Sequence, residues 1–245
     1  MLVSNRIIRT GREEHRPMDD NTNEYLIKIA ENGPYRVTGG VPLLQRYPAM
    51  SVHGEPLEWD PVGEEMEQPP MRQKYSLCRC GHSSNKPFCD GTHEEIGFDG
   101  SLTADQRPGS ARRKSFQGSG VVMTDDTTLC SETGFCGTRF TKVWQMIERT
   151  DDPEVKARLL RMVTNCPSGR LEAALDGGEI VEPAYTPSIA TVPNGPLWVR
   201  GGIRIQAPDG FIYEVRNRVT LCRCGLSKNK PFCDGAHEQG GFIAP

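Results

Sequence analysis

The sequence contains no apolar run that approaches the roughly 18 residues of a membrane-spanning helix. It also has no excess of positive charge, because 29 Lys and Arg face 32 Asp and Glu, so binding to nucleic acid or to an anionic membrane is not expected. Residues 1–12 do not join a positively charged start to an apolar stretch. We therefore expect a cytoplasmic protein that does not bind membranes.

Cysteine is too scarce for a disulfide scaffold. Nine cysteines in 245 residues lie well below the roughly 8–10% of such scaffolds, and their number is odd. In a reducing compartment these thiols are more typical of ligands or reactive groups. The sequence also shows no nucleophile–base pair, phosphate-binding glycine loop or nucleotide fingerprint, so we do not expect an enzyme.

Gly and Pro are abundant, at 26 and 19 residues, which is about 18% of the chain against a usual level of about 12%. With 36% hydrophobic residues the chain has the composition of a folded protein of one or two domains. Turns, short strands and loops should therefore form much of the structure, and we expect loops to carry the chemistry.

An internal repeat organises the chain. Residues Leu77–Glu94 (LCRCGHSSNKPFCDGTHE) and Leu221–Glu238 (LCRCGLSKNKPFCDGAHE) are identical at 15 of 18 positions. We call them the first loop and the second loop. Upstream of them, residues 32–40 resemble residues 194–202 more faintly, and an Asn-Gly pair follows an apolar stretch in both copies. This pattern predicts a hairpin, and hence a small β-sheet that presents each loop.

Other segments of the repeat give further expectations. In the second copy we predict a strand at Ile203–Gln206, a turn at Pro208–Gly210 and a strand at Phe211–Val219 that leads towards the second loop. The first copy is about 18 residues longer between its Asn-Gly pair and its first cysteine. The extra residues, rich in Glu and Pro around Glu55–Pro70, are predicted to form a surface loop.

Each loop has the pattern C-x-C, eight residues, C, three residues, H, which supplies three thiolates and one imidazole. The candidate ligands are Cys78, Cys80, Cys89 and His93, and then Cys222, Cys224, Cys233 and His237. A structural zinc ion accepts the same donors, although C-x-C is closer than the usual zinc spacing. Asp90 and Asp234 are expected to cap a helical turn that carries the histidine. From these residues alone, an iron-sulfur cluster and a zinc ion both remain open.

The pattern C-R-C-G-x-S-x-N-K-P-F-C-D-G-[TA]-H resembles the signature of the CDGSH iron-sulfur domain family, the mitoNEET-like proteins. Thr92 and Ala236 stand where the signature has serine. The resemblance implies two [2Fe-2S] clusters, with Cys78 and Cys80 on one iron of the first and Cys89 and His93 on the other. Cys222, Cys224, Cys233 and His237 would repeat this arrangement. Two motifs in one chain are similar to the class in which an intramolecular pair replaces a homodimer, and such a chain could act as a monomer.

This ligand set predicts the redox behaviour of the clusters. A neutral imidazole in place of a thiolate makes reduction easier, so the potential should lie between roughly −400 mV for all-cysteine clusters and the upper Rieske range near +300 mV. Imidazole also protonates near neutral pH. We therefore expect proton-coupled clusters that are lost in acid.

The segment between the repeats is expected to contain a linker and two helices. Ser101–Ser119 is polar and is predicted to be the linker. A helix near Arg139–Arg149 would bury Phe140, Val143, Trp144 and Ile147, and a second one would begin at Pro153 with Asp152 as its cap. The second helix would turn Val155, Leu159, Met162 and Val163 inward.

Three more cysteines lie in this middle segment, namely Cys130, Cys136 and Cys166. The sequence Cys166-Pro-Ser-Gly-Arg-Leu after a helical stretch is similar to the divergent single-cluster ferredoxin-like domain. The segment lacks C-x-x-C-x-x-C and a fourth cysteine. We therefore expect a ferredoxin-like scaffold that has lost its cluster, with buried free thiols or a redox-linked pair. A functional third cluster, which would need a ligand from elsewhere, is the remaining alternative.

Together these features predict an α+β protein with two β-rich halves in a pseudo-two-fold pair and an inserted ferredoxin-like α/β segment. The expected domains are a tail at 1–24, the first half at 25–98, a linker at 99–119, the insert at 120–187 and the second half at 188–245. The expected function is electron transfer with a redox partner protein. Donation or storage of clusters for apo-proteins, and a zinc-stabilised interaction module, are the alternatives.

Overall fold

The computed structural model describes residues 25–60, 64–65 and 74–245. Short strands dominate it, as a chain rich in glycine and proline requires. The predicted tail at residues 1–24 lies outside the described residues. The strands are β1 Leu26–Ile29, β2 Tyr35–Thr38, β3 Leu43–Gln45, β4 Pro48–Met50, β5 Pro56–Trp59, β6 Glu64–Glu65, β7 Lys74–Leu77, β8 Lys114–Gly118, β9 Val121–Asp125, β10 Leu171–Leu175, β11 Ser188–Thr191, β12 Leu197–Arg200, β13 Arg204–Gln206 and β14 Arg218–Leu221.

The α-helices are α1 Thr92–Glu95, α2 Val143–Met146, α3 Pro153–Thr164 and α4 Ala236–Gln239, and 3₁₀ turns occur at Gly109–Ala111, Thr127–Leu129 and Ile147–Arg149. This content confirms the α+β class. Within the described ranges, no helix combines the length and the apolar character needed to cross a membrane.

Each repeat begins with the predicted hairpin. β1 pairs with β2 and β11 pairs with β12, both antiparallel. Asn32 and Asn194 adopt positive φ angles of 45° and 55° in the turns, a region that asparagine tolerates better than most residues. β2 then pairs with β7 and β12 with β14. The last strand of each set ends directly at the first cysteine of its loop.

The two halves exchange a strand. β13 of the second half lies parallel to β1 of the first, which gives a sheet with the order β13-β1-β2-β7. β3 of the first half lies parallel to β11 of the second, in a sheet with the order β14-β12-β11-β3-β6. Each sheet is therefore completed by a strand from the other half of the sequence.

One hydrophobic core joins these two sheets. It contains residues from both halves that alternate along the strands, including Ile27, Ile29, Tyr35, Val37, Ile189, Val199, Ile205 and Leu221. Residues two apart on a strand face the same side, so these side chains point together into the space between the sheets. Because this core is shared, neither half buries its apolar surface alone.

The middle segment has a core of its own. β8, β9 and β10 form an antiparallel sheet, against which α2 and α3 pack through Val143, Leu159 and Val163. Asp152 caps α3 as predicted, accepting hydrogen bonds from the N–H groups of Glu154 and Val155.

Two expectations for the middle segment were wrong. Lys114–Gly118 lies in β8 and not in a linker, because its backbone pairs along the whole length of β9. Phe140 is 83% exposed, because α2 begins only at Val143 and residues 138–142 form a turn before it. Val143 and Ile147 are buried as predicted, and Trp144 is half-buried.

The longer first copy contains more structure than the predicted surface loop. β4 and β5 form a hairpin, and Trp59 at its end packs on Trp198 and Phe135 with ring centroids 4.4 and 4.9 Å apart. Residues 61–63 and 66–73 of this insertion lie outside the described residues. In the second copy, the strand predicted at Phe211–Val219 is shorter than expected, because regular pairing with β12 begins only at Arg218.

Candidate metal centres

The first loop closes on itself by backbone hydrogen bonds. The N–H of Cys78 donates to the carbonyl of Pro87 at 2.8 Å, and the N–H of Cys89 donates to the carbonyl of Ser76 at 3.0 Å. The two ends of the loop are thereby held side by side. The Sγ atoms of Cys78 and Cys80, which we call the inner pair, lie 3.8 Å apart.

The outer pair of the first loop consists of Cys89 and His93, with Sγ and Nδ1 3.3 Å apart. The short helix α1 carries the histidine. Gly91, at a φ of 96°, occupies the cap position that we had predicted for Asp90. Asp90 instead precedes the cap, and its carboxylate accepts from the N–H groups of Ser84 and Thr92. Hydrogen bonds from the Thr92 side chain and these amides hold the pKa of Asp90 well below its usual range.

The second loop repeats this geometry. Its inner pair, Cys222 and Cys224, has Sγ atoms 3.6 Å apart, and its outer pair, Cys233 and His237, has Sγ and Nδ1 3.4 Å apart. Asp234 accepts from the N–H groups of Lys228 and Ala236, as Asp90 does from the equivalent residues. The predicted cap at Asp234 was therefore also wrong, because Gly235 occupies the cap position of α4. The eight predicted ligands are therefore brought together as four pairs.

The spacing within each pair suits two ligands of one tetrahedral ion. Thiolates at about 2.3 Å from a metal lie about 3.8 Å apart, and a thiolate and an imidazole nitrogen at about 2.0 Å lie about 3.5 Å apart. In the described part of the chain, however, no group of three or more His, Cys, Asp or Glu side chains is arranged to hold one ion. The described geometry therefore consists of two donor pairs in each loop.

Burial of these thiols favours the binding of a metal cation. It is the main cause that raises the pKa of Cys89 and of Cys233, because a thiolate loses its hydration there. In the inner pair of the second loop, a hydrogen bond from Cys224 lowers the pKa of Cys222 to about 6. Thiolates in such places are stabilised when a metal ion lies beside them.

Sequence reasoning missed the arginine between the first two cysteines of each loop. Arg79 and Arg223 are each only 2% exposed, and both donate to carbonyls of the hairpin turn of their own repeat. The Nε of Arg79 donates to the carbonyl of Gly33, and that of Arg223 to the carbonyl of Gly195, both at 2.7 Å. The signal was present, since this arginine is identical in both copies and a buried cation needs partners.

The two loops also contact each other. A Cβ at Gly81 would lie 2.4 Å from the carbonyl oxygen of Cys224, and one at Gly225 would lie 2.5 Å from that of Cys80. Only glycine fits at such an approach. The hydroxyl of Tyr35, in the first half, donates to the carbonyl of Cys222 at 2.7 Å.

Comparison with protein families agrees with this geometry. Residues 32–94 and 194–238 match the iron-binding zinc finger of CDGSH type. We call these two matching regions the CDGSH regions. Residues 116–176, between them, match the divergent 4Fe-4S mono-cluster family. No curated protein and no solved structure matched the chain. The resemblances drawn from the sequence are thus confirmed, and both matches support an iron-sulfur protein.

The segment between the CDGSH regions does not fit a four-iron cluster. Cys130, Cys136 and Cys166 line one cavity, but its volume is only about 30 Å³, enough for about two water molecules. Arg170 also lines this cavity and is held there by Asp125, with Nε 2.6 Å from Oδ1. A four-iron cluster needs four ligands, and among the described residues that line this cavity only these three are cysteines. All three are free.

We expect the triple variant Cys130→Ala, Cys136→Ala and Cys166→Ala to keep the full iron content of the chain. The variant removes the three thiols of the middle segment but none of the paired donors in the CDGSH regions. Iron per chain, measured after purification without oxygen, checks this. If the triple variant contained clearly less iron per chain than the natural sequence, the middle segment would bind part of the iron.

Proposed function

We propose that the chain carries two [2Fe-2S] clusters, one in each CDGSH region, and transfers electrons. The observation that carries the proposal is the arrangement of donors in pairs, each spaced for one tetrahedral iron. Cys78 and Cys80 would hold one iron of the first cluster, and Cys89 and His93 the other. Cys222 and Cys224, with Cys233 and His237, would hold the second. When bound, each cluster supplies a centre that accepts one electron.

The protein's own groups prepare these sites. Arg79 and Arg223 fix the backbone of the C-R-C segment against the hairpin turn. They also place positive charge near cysteines of the opposite loop, Arg79 near Cys222 and Arg223 near Cys78. α1 and α4 direct the Nδ1 of each histidine towards the neighbouring thiolate. Imidazole is a neutral donor, so the sites would be easier to reduce than all-cysteine sites, and competition from protons would make them labile in acid.

The exchanged strands favour one chain as the complete unit. β13 and β3 pass between the halves, and the close approaches at Gly81 and Gly225 are reciprocal. A pseudo-two-fold pair of halves accounts for both features. In this proposal the chain needs no second copy to form either site, and its partner is a redox protein.

Cluster donation is the second candidate. It is favoured by the outer pair of the first loop, where Cys89 and His93 are only half-buried. An apo-protein could approach these ligands without unfolding the chain. A zinc-stabilised module is disfavoured, because the described residues offer pairs of donors rather than one closed set of four.

Metal and sulfide analysis tests the proposal directly. Protein purified without oxygen should be coloured and should contain about four irons and about four acid-labile sulfides per chain. A colourless protein with about two zinc ions would overturn it. A second experiment distinguishes electron transfer from cluster donation. If the clusters are oxidised and reduced reversibly and the cluster absorbance does not appear in an added apo-ferredoxin, electron transfer is favoured. If the absorbance appears in the apo-ferredoxin, cluster donation is favoured.

A further inference from the structure

The two CDGSH regions are nearly identical in sequence but not in surroundings. Cys89, Gly91 and His93 are partly exposed, with 13% of the His93 side chain accessible, whereas the equivalent Cys233, Gly235 and His237 are buried, with His237 7% exposed. Local sequence cannot cause this difference, because only three of the 18 positions in the loops differ. Its cause must lie in what packs on each loop.

Residues from the segment that joins the repeats cover the second loop. Asn229 donates to the carbonyl of Thr128 at 2.6 Å, and the N–H groups of Thr103 and Ala104 donate to the carbonyl of Lys230 at 2.8 and 2.9 Å. The Cγ of Glu132 lies 2.7 Å from where a Cβ on Gly235 would be. We call Thr103, Ala104, Thr128 and Glu132 the cover.

The cover is held firmly in place. Phe135, three residues after Glu132, packs on Trp59, which in turn packs on Trp198 in β12. The indole N–H of Trp59 donates to the carbonyl of Asn165 at the end of α3. Both halves and the middle segment therefore meet beside the second loop, and opening it would break all of these contacts.

A narrower route to the second loop remains. His237 lines a cavity of about 420 Å³, together with Glu132, Phe135, Phe242 and Trp59. A cavity of this size admits a small molecule.

We infer that the two sites have different partners: the outer pair of the first loop is the one that protein partners reach, whereas the second site is closed to proteins by the cover and is open only to small molecules. This inference rests on the proposed function, because it concerns how the clusters are used. It goes beyond that function in assigning exchange with proteins to Cys89 and His93 alone.

Transfer to the apo form of a plant-type [2Fe-2S] ferredoxin tests the inference. The three thiolates and one imidazole of this chain are replaced by the four thiols of the acceptor, which lose their protons as they bind. Three of these protons pass to the vacated thiolates and the fourth passes to the solvent, the imidazole leaves as a neutral group, and no oxidation state changes. We expect two phases, with half of the clusters moving about tenfold faster than the rest, because the second site must first open. Dithionite, a small reductant, should reduce both clusters.

Matched substitutions assign the phases. His93→Cys should abolish the fast phase, whereas His237→Cys should leave it unchanged, with the visible absorption of each variant showing that both clusters are loaded. Glu132→Gly removes the covering side chain at a φ of 56°, where glycine is the easier residue, and should accelerate the slow phase about fivefold. Glu95→Ala removes the same charge from an exposed position of α1 but removes no cover, and should change neither phase.

The failure of this inference differs from the failure of the proposed function. Equal rates for both clusters, or a slow phase that Glu132→Gly does not change, would overturn the inference while two clusters remain. A chain without iron and sulfide would overturn the proposed function itself.

Discussion

Replacing both ligand histidines by cysteine, in the double variant His93→Cys/His237→Cys, is expected to lower the reduction potential of the clusters by on the order of 100 mV or more. Each Nδ1 lies close to a cysteine Sγ, at 3.3 Å in the first loop and 3.4 Å in the second. A thiolate there adds a negative charge to each site, so the incoming electron meets more repulsion. Spectroscopic redox titration of the loaded variant measures the change.

The same variant should lose its iron more slowly in acid, because it lacks the imidazoles for which protons compete. His82→Leu is the matched control, since His82 lies in the first loop and Leu226 stands at its position in the second. His82 contacts the carbonyl of Cys80 through Nδ1 and belongs to neither donor pair. A double variant with the potential and acid lability of the natural sequence would show that the two histidines do not bind iron.

The pairing of the donors could be anticipated because it is local. Each loop holds its own ends together through hydrogen bonds such as that from the N–H of Cys78 to the carbonyl of Pro87. The histidine follows the last cysteine by four residues, and a helical turn brings these two side chains together. A short sequence can therefore specify the geometry, and the repeat shows that it does so twice. That the eight residues bind iron stays a prediction until the metal is measured.

The exchange of strands could not be anticipated in this way. β1 pairs with β13, which begins 178 residues later in the chain. The sequence of Leu26–Ile29 contains no feature that identifies β13 as its partner. Non-local pairing depends on how complete sheets pack. The same limit explains β8, whose mixed Lys114–Gly118 sequence resembles a loop and becomes a strand only because β9 lies beside it.

The unequal burial of the two loops was also beyond sequence reasoning. The loops are nearly identical, so a reading of each alone predicts identical sites. We ascribe the difference to the cover, whose residues lie outside the repeated loops. Trp59, which was predicted to lie in a surface loop, packs on Phe135 beside the cover. Its 8% exposure follows from the stacking on Trp198, which lies more than 100 residues away in the sequence.

The variant Arg218→Ala should reduce the free energy of unfolding by about 3–5 kcal/mol. The side chain of Arg218 is fully buried, and it donates to the carbonyls of Val163, Thr164 and Leu171 at 3.0, 3.2 and 3.1 Å. Burial opposes its charge, but the hydrogen bond to Glu182 raises the pKa of Arg218 above its usual value. Without the guanidinium, the carboxylate and the carbonyls at the end of α3 lose their partner.

Urea unfolding of the holo-protein, followed by circular dichroism, measures this loss. Arg218→Lys keeps the charge but cannot reach as many acceptors, so it should recover only part of the stability. Arg158→Ala removes an exposed arginine from α3 and should change the stability by no more than about 0.5 kcal/mol. If Arg218→Ala lost as little as this control, the carbonyls would have to be satisfied by other groups.

The position of Arg218 connects this stability to the second cluster site. Arg218 is the first residue of β14, and this strand ends at Leu221, directly before Cys222. Through its guanidinium, Arg218 connects β14 to the end of α3 and to the start of β10 in the middle segment. β14 is the strand that leads into the second inner pair. If the middle segment shields the second site, Arg218→Lys should also speed the slow phase of cluster transfer while the fast phase keeps its rate. An equal acceleration of both phases would mean that Arg218 stabilises the whole fold and not the cover in particular.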